Sequence, residues 1–116
     1  VVKAFDLTLA KTGISEEEAQ ELQLPYESIT VQAPSHAGVY PDSKKITIKL
    51  VYEKETKRLL GAQMVGEKGV AKRLDVFALA IDRKMTAEEL GWVDLCYSPP
   101  YATPWDAVQI AANAVK

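Results

Sequence analysis

Apolar and polar residues alternate along four stretches of the chain. Phe5, Leu7 and Leu9 alternate with Asp6, Thr8 and Ala10, and a period of two predicts a half-buried strand. Ile29, Val31 and Ala33 alternate with Thr30 and Gln32 and predict a second. Ile46, Ile48, Leu50 and Tyr52 predict a third, and Leu60, Ala62 and Met64 form one face of a fourth. Gly61 and Gly66 mark a close approach or an end there. The polar turn Lys54 to Lys57 joins the last two strands so tightly that they should pair as an antiparallel hairpin.

Elsewhere the period changes to three and four. Val70, Leu74, Phe77, Ala78 and Ile81 lie on one side of an amphipathic helix of roughly four turns. Ser15 with Glu18 forms a capping box that opens a short helix running to Leu24, where Pro25 stops it. Thr86 with Glu89 forms a second box, and Gly91 ends that short helix. Thr103 as cap, Pro104 at the first helical position and Asp106 near the positive end open a last helix carrying Val108, Ala111, Ala112 and Val115. Pro34 to Ser43 reads as a loop. Strands and helices are largely segregated. That order predicts an α+β domain, an antiparallel sheet of about four to five strands covered by helices, with residues 1–116 forming a single domain.

Composition narrows the function. The chain has 116 residues, a net charge of −2 and 26% charged residues. No basic excess points to nucleic acid or an anionic membrane. No apolar run approaches the ~20 residues of a membrane span. One cysteine, Cys96, and one histidine, His36, exclude both an internal disulfide and a Cys/His zinc site. The cysteine usage suits a reducing cytoplasm. A chain that begins on Val1, inside an apparent strand, is expected to be part of a longer protein or to have been processed.

Little catalytic machinery is visible. Gly61, Gly66 and Gly69 fit neither phosphate-binding glycine pattern, so neither a dinucleotide nor a flavin site is expected on these residues, and no metal site. Cys96 with His36 could pair as nucleophile and base, but a cysteine beside Leu95 reads more simply as a small buried hydrophobe. Glu16, Glu17 and Glu18 are explained by the helix dipole. The segment Tyr97 to Trp105 stands apart, with three prolines and three aromatics in nine residues. Prolines stiffen it and the aromatics supply rigid amphipathic area, which suits an interface or the lip of a pocket.

That segment, Asp94-Leu95-Cys96-Tyr97-Ser98-Pro99-Pro100-Tyr101 followed by Thr103-Pro104-Trp105-Asp106, resembles the C-terminal signature of the pyridine nucleotide-disulfide oxidoreductases, in the branch of the coenzyme A-disulfide reductases and NADH oxidases. Phe5-Asp6-Leu7 with Ala10 to Ile14, His36 to Pro41, Leu59 to Gly66 and Val70 to Asp75 are similar to further family stretches in the same order. The resemblance implies the dimerisation-domain fold of FAD/NAD-linked reductases, at the C-terminus of a longer cytoplasmic flavoprotein. It implies FAD and NAD(P)H bound by upstream domains of the same chain, a homodimer, and a redox cysteine near the flavin. It further implies that Tyr40, Tyr97 and Tyr101 assist the active site of the other subunit. The histidine-glutamate pair of the glutathione-reductase branch has no counterpart in this sequence. A contrasting expectation is a stand-alone module holding a small ligand between the Pro34 to Ser43 loop and the Pro-Pro segment, without catalytic activity.

Overall fold

A computed structural model describes residues 1–116. Five strands form one antiparallel sheet: β1 (Val2–Ala4), β2 (Leu7–Gly13), β3 (Tyr26–Pro34), β4 (Lys45–Glu53) and β5 (Leu59–Gly66), in the order β1-β2-β5-β4-β3. The helices are α1 (Glu16–Glu21), α2 (Ala71–Asp82), α3 (Ala87–Gly91) and α4 (Ala107–Ala114). The architecture is the expected α+β one.

Alternation places Ile46, Ile48 and Leu50 of β4 on the side where α2 and α4 pack, and all three are fully buried. Met64 and Ala62 of β5 lie beside them in register. Leu74, Phe77 and Ala80 of α2 and Val108, Ala111 and Ala112 of α4 close the other side of this core. α2 lies over β2 and β5, and α4 over β3 and β4. Each Ile or Leu side chain removed from water here contributes about 1.5–3 kcal/mol. The small residues of α4 let it approach α3. A Cβ on Gly91 would meet the end of the Asn113 side chain of α4.

Several details differ from the sequence expectation. The first strand is a hairpin rather than one strand. Phe5 sits in its turn with φ 55° and is 98% exposed. Leu7 and Leu9 face the side of the sheet that the long helices leave open, and it is Ala10 that points inward. Ala10 lies opposite Met64, under α2, where a small side chain leaves room for the helix. In β5 the buried leucine is Leu59, with Leu60 only half-buried, because an irregularity at Val51/Tyr52 shifts the register by one residue. The last helix is capped by Asp106 and not by Thr103: the Asp106 carboxylate accepts the Val108 N–H at 2.9 Å, and the Gln109 side chain accepts the Asp106 N–H at 3.0 Å. The Thr103 hydroxyl donates to the Trp105 carbonyl instead.

The two predicted capping boxes, Ser15/Glu18 and Thr86/Glu89, both form. α1 ends at Glu21, short of Leu24, where Gln23 turns the chain with φ 55°. α1 itself rests on the open face: Glu16 accepts hydrogen bonds from Lys49 and Ser28, and Lys11 donates to Glu18 at 2.9 Å. No helix is long and apolar enough to cross a membrane.

Candidate functional site

The loop between β3 and β4 and the segment before α4 come together at one end of the sheet. Their meeting point is built by polar contacts. The Ala37 N–H donates to the Pro99 carbonyl at 3.1 Å, linking the two segments directly. Within the first loop, Ser35 and Lys44 pair across its base, with the Ser35 N–H on the Lys44 carbonyl at 2.8 Å and the Lys44 N–H on the Ser35 hydroxyl at 3.0 Å. His36 closes the same loop, Nε2 lying 2.9 Å from the Pro41 carbonyl and Nδ1 3.3 Å from the Ser35 hydroxyl. The geometry suits a tautomer with the proton on Nε2, which donates to Pro41 while Nδ1 accepts from Ser35.

In the second segment the Ser98 carbonyl accepts from both the Tyr101 and Ala102 N–H groups, forming a turn that the two prolines preceding Tyr101 stiffen. Tyr97 and Tyr101 project from the ends of this turn, 50% and 76% exposed. Tyr40, on the neighbouring loop, is 46% exposed, and its N–H bonds the Ala37 carbonyl. The three tyrosines singled out from the sequence are therefore carried by two segments that touch, each with its ring partly in solvent.

Arg73 joins the two segments, a residue the sequence singled out only as part of the Val70 to Asp75 stretch. Its Nε lies 3.0 and 3.1 Å from the two Asp106 carboxylate oxygens, and Nη2 lies 3.0 Å from one of them. Nη2 also donates to the Ser35 carbonyl at 2.8 Å and to the Tyr101 carbonyl at 3.2 Å, and Nη1 to the Gly69 carbonyl at 2.9 Å. Both side chains of the ion pair are mostly buried, 11% and 12% exposed. One guanidinium thus ties the turn leading into α2, the root of the histidine loop, the Pro-Pro turn and the cap of α4. Sequence reasoning missed this role because Arg73 and Asp106 are separated by 33 positions.

The Cys96 and His36 pair is not assembled. Cys96 is exposed rather than a buried hydrophobe, and both imidazole nitrogens are engaged within the loop. No group of three or more His, Cys, Asp or Glu side chains is placed to hold a metal ion. A groove of about 540 Å³ runs between Pro34, the Thr103 to Trp105 stretch and the α4 residues Ile110, Asn113 and Ala114.

The family model for the pyridine nucleotide-disulphide oxidoreductase dimerisation domain matches residues 1–107. The chain belongs to this family. Coenzyme A disulfide reductase of Staphylococcus epidermidis is 34% identical to this dimerisation domain over 110 residues, which are 95% of the chain and 25% of that protein. The domain thus spans about a quarter of the length of the curated relatives it matches. Among solved structures, CoADR-RHD of Bacillus anthracis superposes with a TM-score of 0.94 at 44% identity, over 97% of the domain and 20% of that chain. The NAD-dependent persulfide reductase of A. fulgidus gives a TM-score of 0.94 at 42% identity, over 96% of the domain and 20% of its chain. The four similar stretches read from the sequence fall within the matched region.

Proposed function

We propose that residues 1–116 are the C-terminal dimerisation domain of a longer flavoprotein. That protein uses FAD and NAD(P)H, bound by upstream domains of the same chain, to reduce coenzyme A disulfide or a related disulfide or persulfide, or, as an NADH oxidase, oxygen. The domain pairs two subunits of a cytoplasmic homodimer and lends Tyr40, Tyr97 and Tyr101 to the active site of the other subunit. The observation that carries this reading is the placement of three partly exposed phenols on two touching, stiffened segments of a domain whose family pairs subunits. A phenol there can donate a hydrogen bond or a proton to a thiolate or an oxyanion formed by the partner. The exposed, free Cys96 agrees with a reducing compartment.

The test is made on the full-length protein. Sedimentation velocity is expected to give a dimer, burying on the order of 1,000 Å² or more. Tyr97→Phe or Tyr101→Phe is expected to lower kcat for NAD(P)H oxidation by on the order of tenfold or more while the dimer persists. Unchanged kinetics in both, and in Tyr40→Phe, leave the tyrosines a packing role only. A monomer at all concentrations removes the reading altogether.

A further inference from the structure

We infer that Arg73 is the positioning residue of this site: through its fork it sets the location of the tyrosine-bearing loops, and with them the catalytic contribution of the tyrosines. The inference rests on the reading above for what the tyrosines do, and on geometry for what Arg73 does. Each of the three tyrosines is connected to the guanidinium by a short path of hydrogen bonds. Tyr101 is held directly, by its own carbonyl. Tyr97 neighbours Ser98, whose carbonyl accepts from the Tyr101 and Ala102 N–H groups. Tyr40 hangs from the Ala37 carbonyl, in a loop held at the Ser35 carbonyl by Arg73 and at Pro99 by the Ala37 N–H. Asp106 fixes the guanidinium plane, and because Asp106 is also the cap of α4, the plane is fixed relative to the core.

The chemistry of this arrangement depends on arginine and not merely on positive charge. A guanidinium presents donors in a rigid planar fork, so one side chain can meet a carboxylate on one edge and backbone carbonyls on the others. A lysine ammonium at the same place keeps the charge opposite Asp106 but lacks the fork. It therefore cannot hold Gly69, Ser35 and Tyr101 at once. Displacing a catalytic group by about 1 Å costs as much as a hundredfold in rate, so the loss of two loop anchors is expected to appear in turnover with the charge pair retained.

The experiment uses the full-length dimeric enzyme, assayed by NAD(P)H oxidation with coenzyme A disulfide, or with oxygen where that is the better acceptor. Arg73→Lys is expected to lower kcat by about tenfold or more, with a smaller change in KM. Combined with Tyr40→Phe, Tyr97→Phe and Tyr101→Phe, it is expected to lower kcat no further than the three tyrosine changes do together, because it acts through them. Asp106→Asn is an independent perturbation that keeps a good helix cap and loosens the fork. It is expected to act in the same direction, less strongly, and it carries the test if Arg73→Lys does not fold. Lys72→Gln, which removes a charge from the neighbouring exposed residue, is the control and is expected to leave turnover unchanged. Losses that add to those of the tyrosine variants overturn the inference and leave Arg73 a structural role. Full activity in both Arg73→Lys and Asp106→Asn, with slow tyrosine variants, also overturns it while the proposed function stands. Fully active tyrosine variants overturn both together.

Discussion

Toward opposite ends of the sheet, charged side chains make two ties to the segments around it, and the two are built differently. At one end, Glu16 and Glu18 of α1 reach Lys49 and Lys11 on the open face. These pairs are a third to a half exposed, and beyond the lysines the carboxylates reach only Ser28 and the Ser15 N–H. At the other end, Arg73 and Asp106 are nearly buried and gather four segments. Exposed pairs of the first kind contribute about 0–1 kcal/mol, because water and salt screen them. The second kind gains little net energy over an apolar pair, yet losing one partner is severe, because the other remains a charge out of water. The lesson is that the tie with the larger penalty for damage is also the one beside the tyrosines.

The comparison breaks most sharply at Arg73. Arg73→Ala is expected to destabilise the protein by about 3–5 kcal/mol, measured by urea unfolding, since it strands the Asp106 carboxylate. A loss under about 1 kcal/mol makes the two ties equivalent. The next effect lies at the α1 end but not in its charges. A Cβ on Gly61 would overlap the Ile14 carbonyl, so Gly61→Ala is expected to cost about 1–3 kcal/mol by forcing the backbones apart. Ser15→Ala removes the side chain that accepts the Glu18 N–H and should cost about 1 kcal/mol.

The smallest effect is expected from the α1 ion pairs, and it depends on pH. The Lys49 and Ser28 hydrogen bonds hold the Glu16 carboxyl below its ordinary 4.5, and the Ser15 backbone N–H followed by Lys11 does the same for Glu18. A carboxylate whose pKa falls on folding stabilises the protein above its unfolded value, and the contribution disappears as pH drops through the folded one. The α1 contribution is therefore complete above about pH 4.5 and is lost below it. Glu16→Gln should change stability at neutral pH by under about 1 kcal/mol and flatten the acid limb of the unfolding midpoint against pH. A steeper acid limb in the variant contradicts the assignment.

Most of the regular framework was legible in the sequence, because its causes are local. The two capping boxes pair residues three apart, and the buried side of α2 follows its helical spacing at Leu74 and Phe77. What escaped is nonlocal. Leu7 and Leu9 alternate as a core strand does, but which side of a sheet the helices cover is decided by α2 packing over β2 and β5, long after β2 in the chain. Leu59 replaces Leu60 in the core because of an irregularity in the partner strand. Asp106 outcompetes Thr103 as a cap because its carboxylate also answers Arg73. Tyr40, Tyr97 and Tyr101 were visible as residue types beside prolines, whereas the clamp that gathers their loops needed the fold.

The ion pair has a meaning for recombination as well. Any chimera joined between positions 73 and 106 takes the guanidinium from one parent and its carboxylate from the other. A parent lacking the acid would contribute an intact helix and an intact loop, and the hybrid would still carry an orphaned cation at their junction. Breakpoints placed before Gly69 or after Asp106 inherit the pair as a unit, so they mark the natural seams along which this domain can be exchanged.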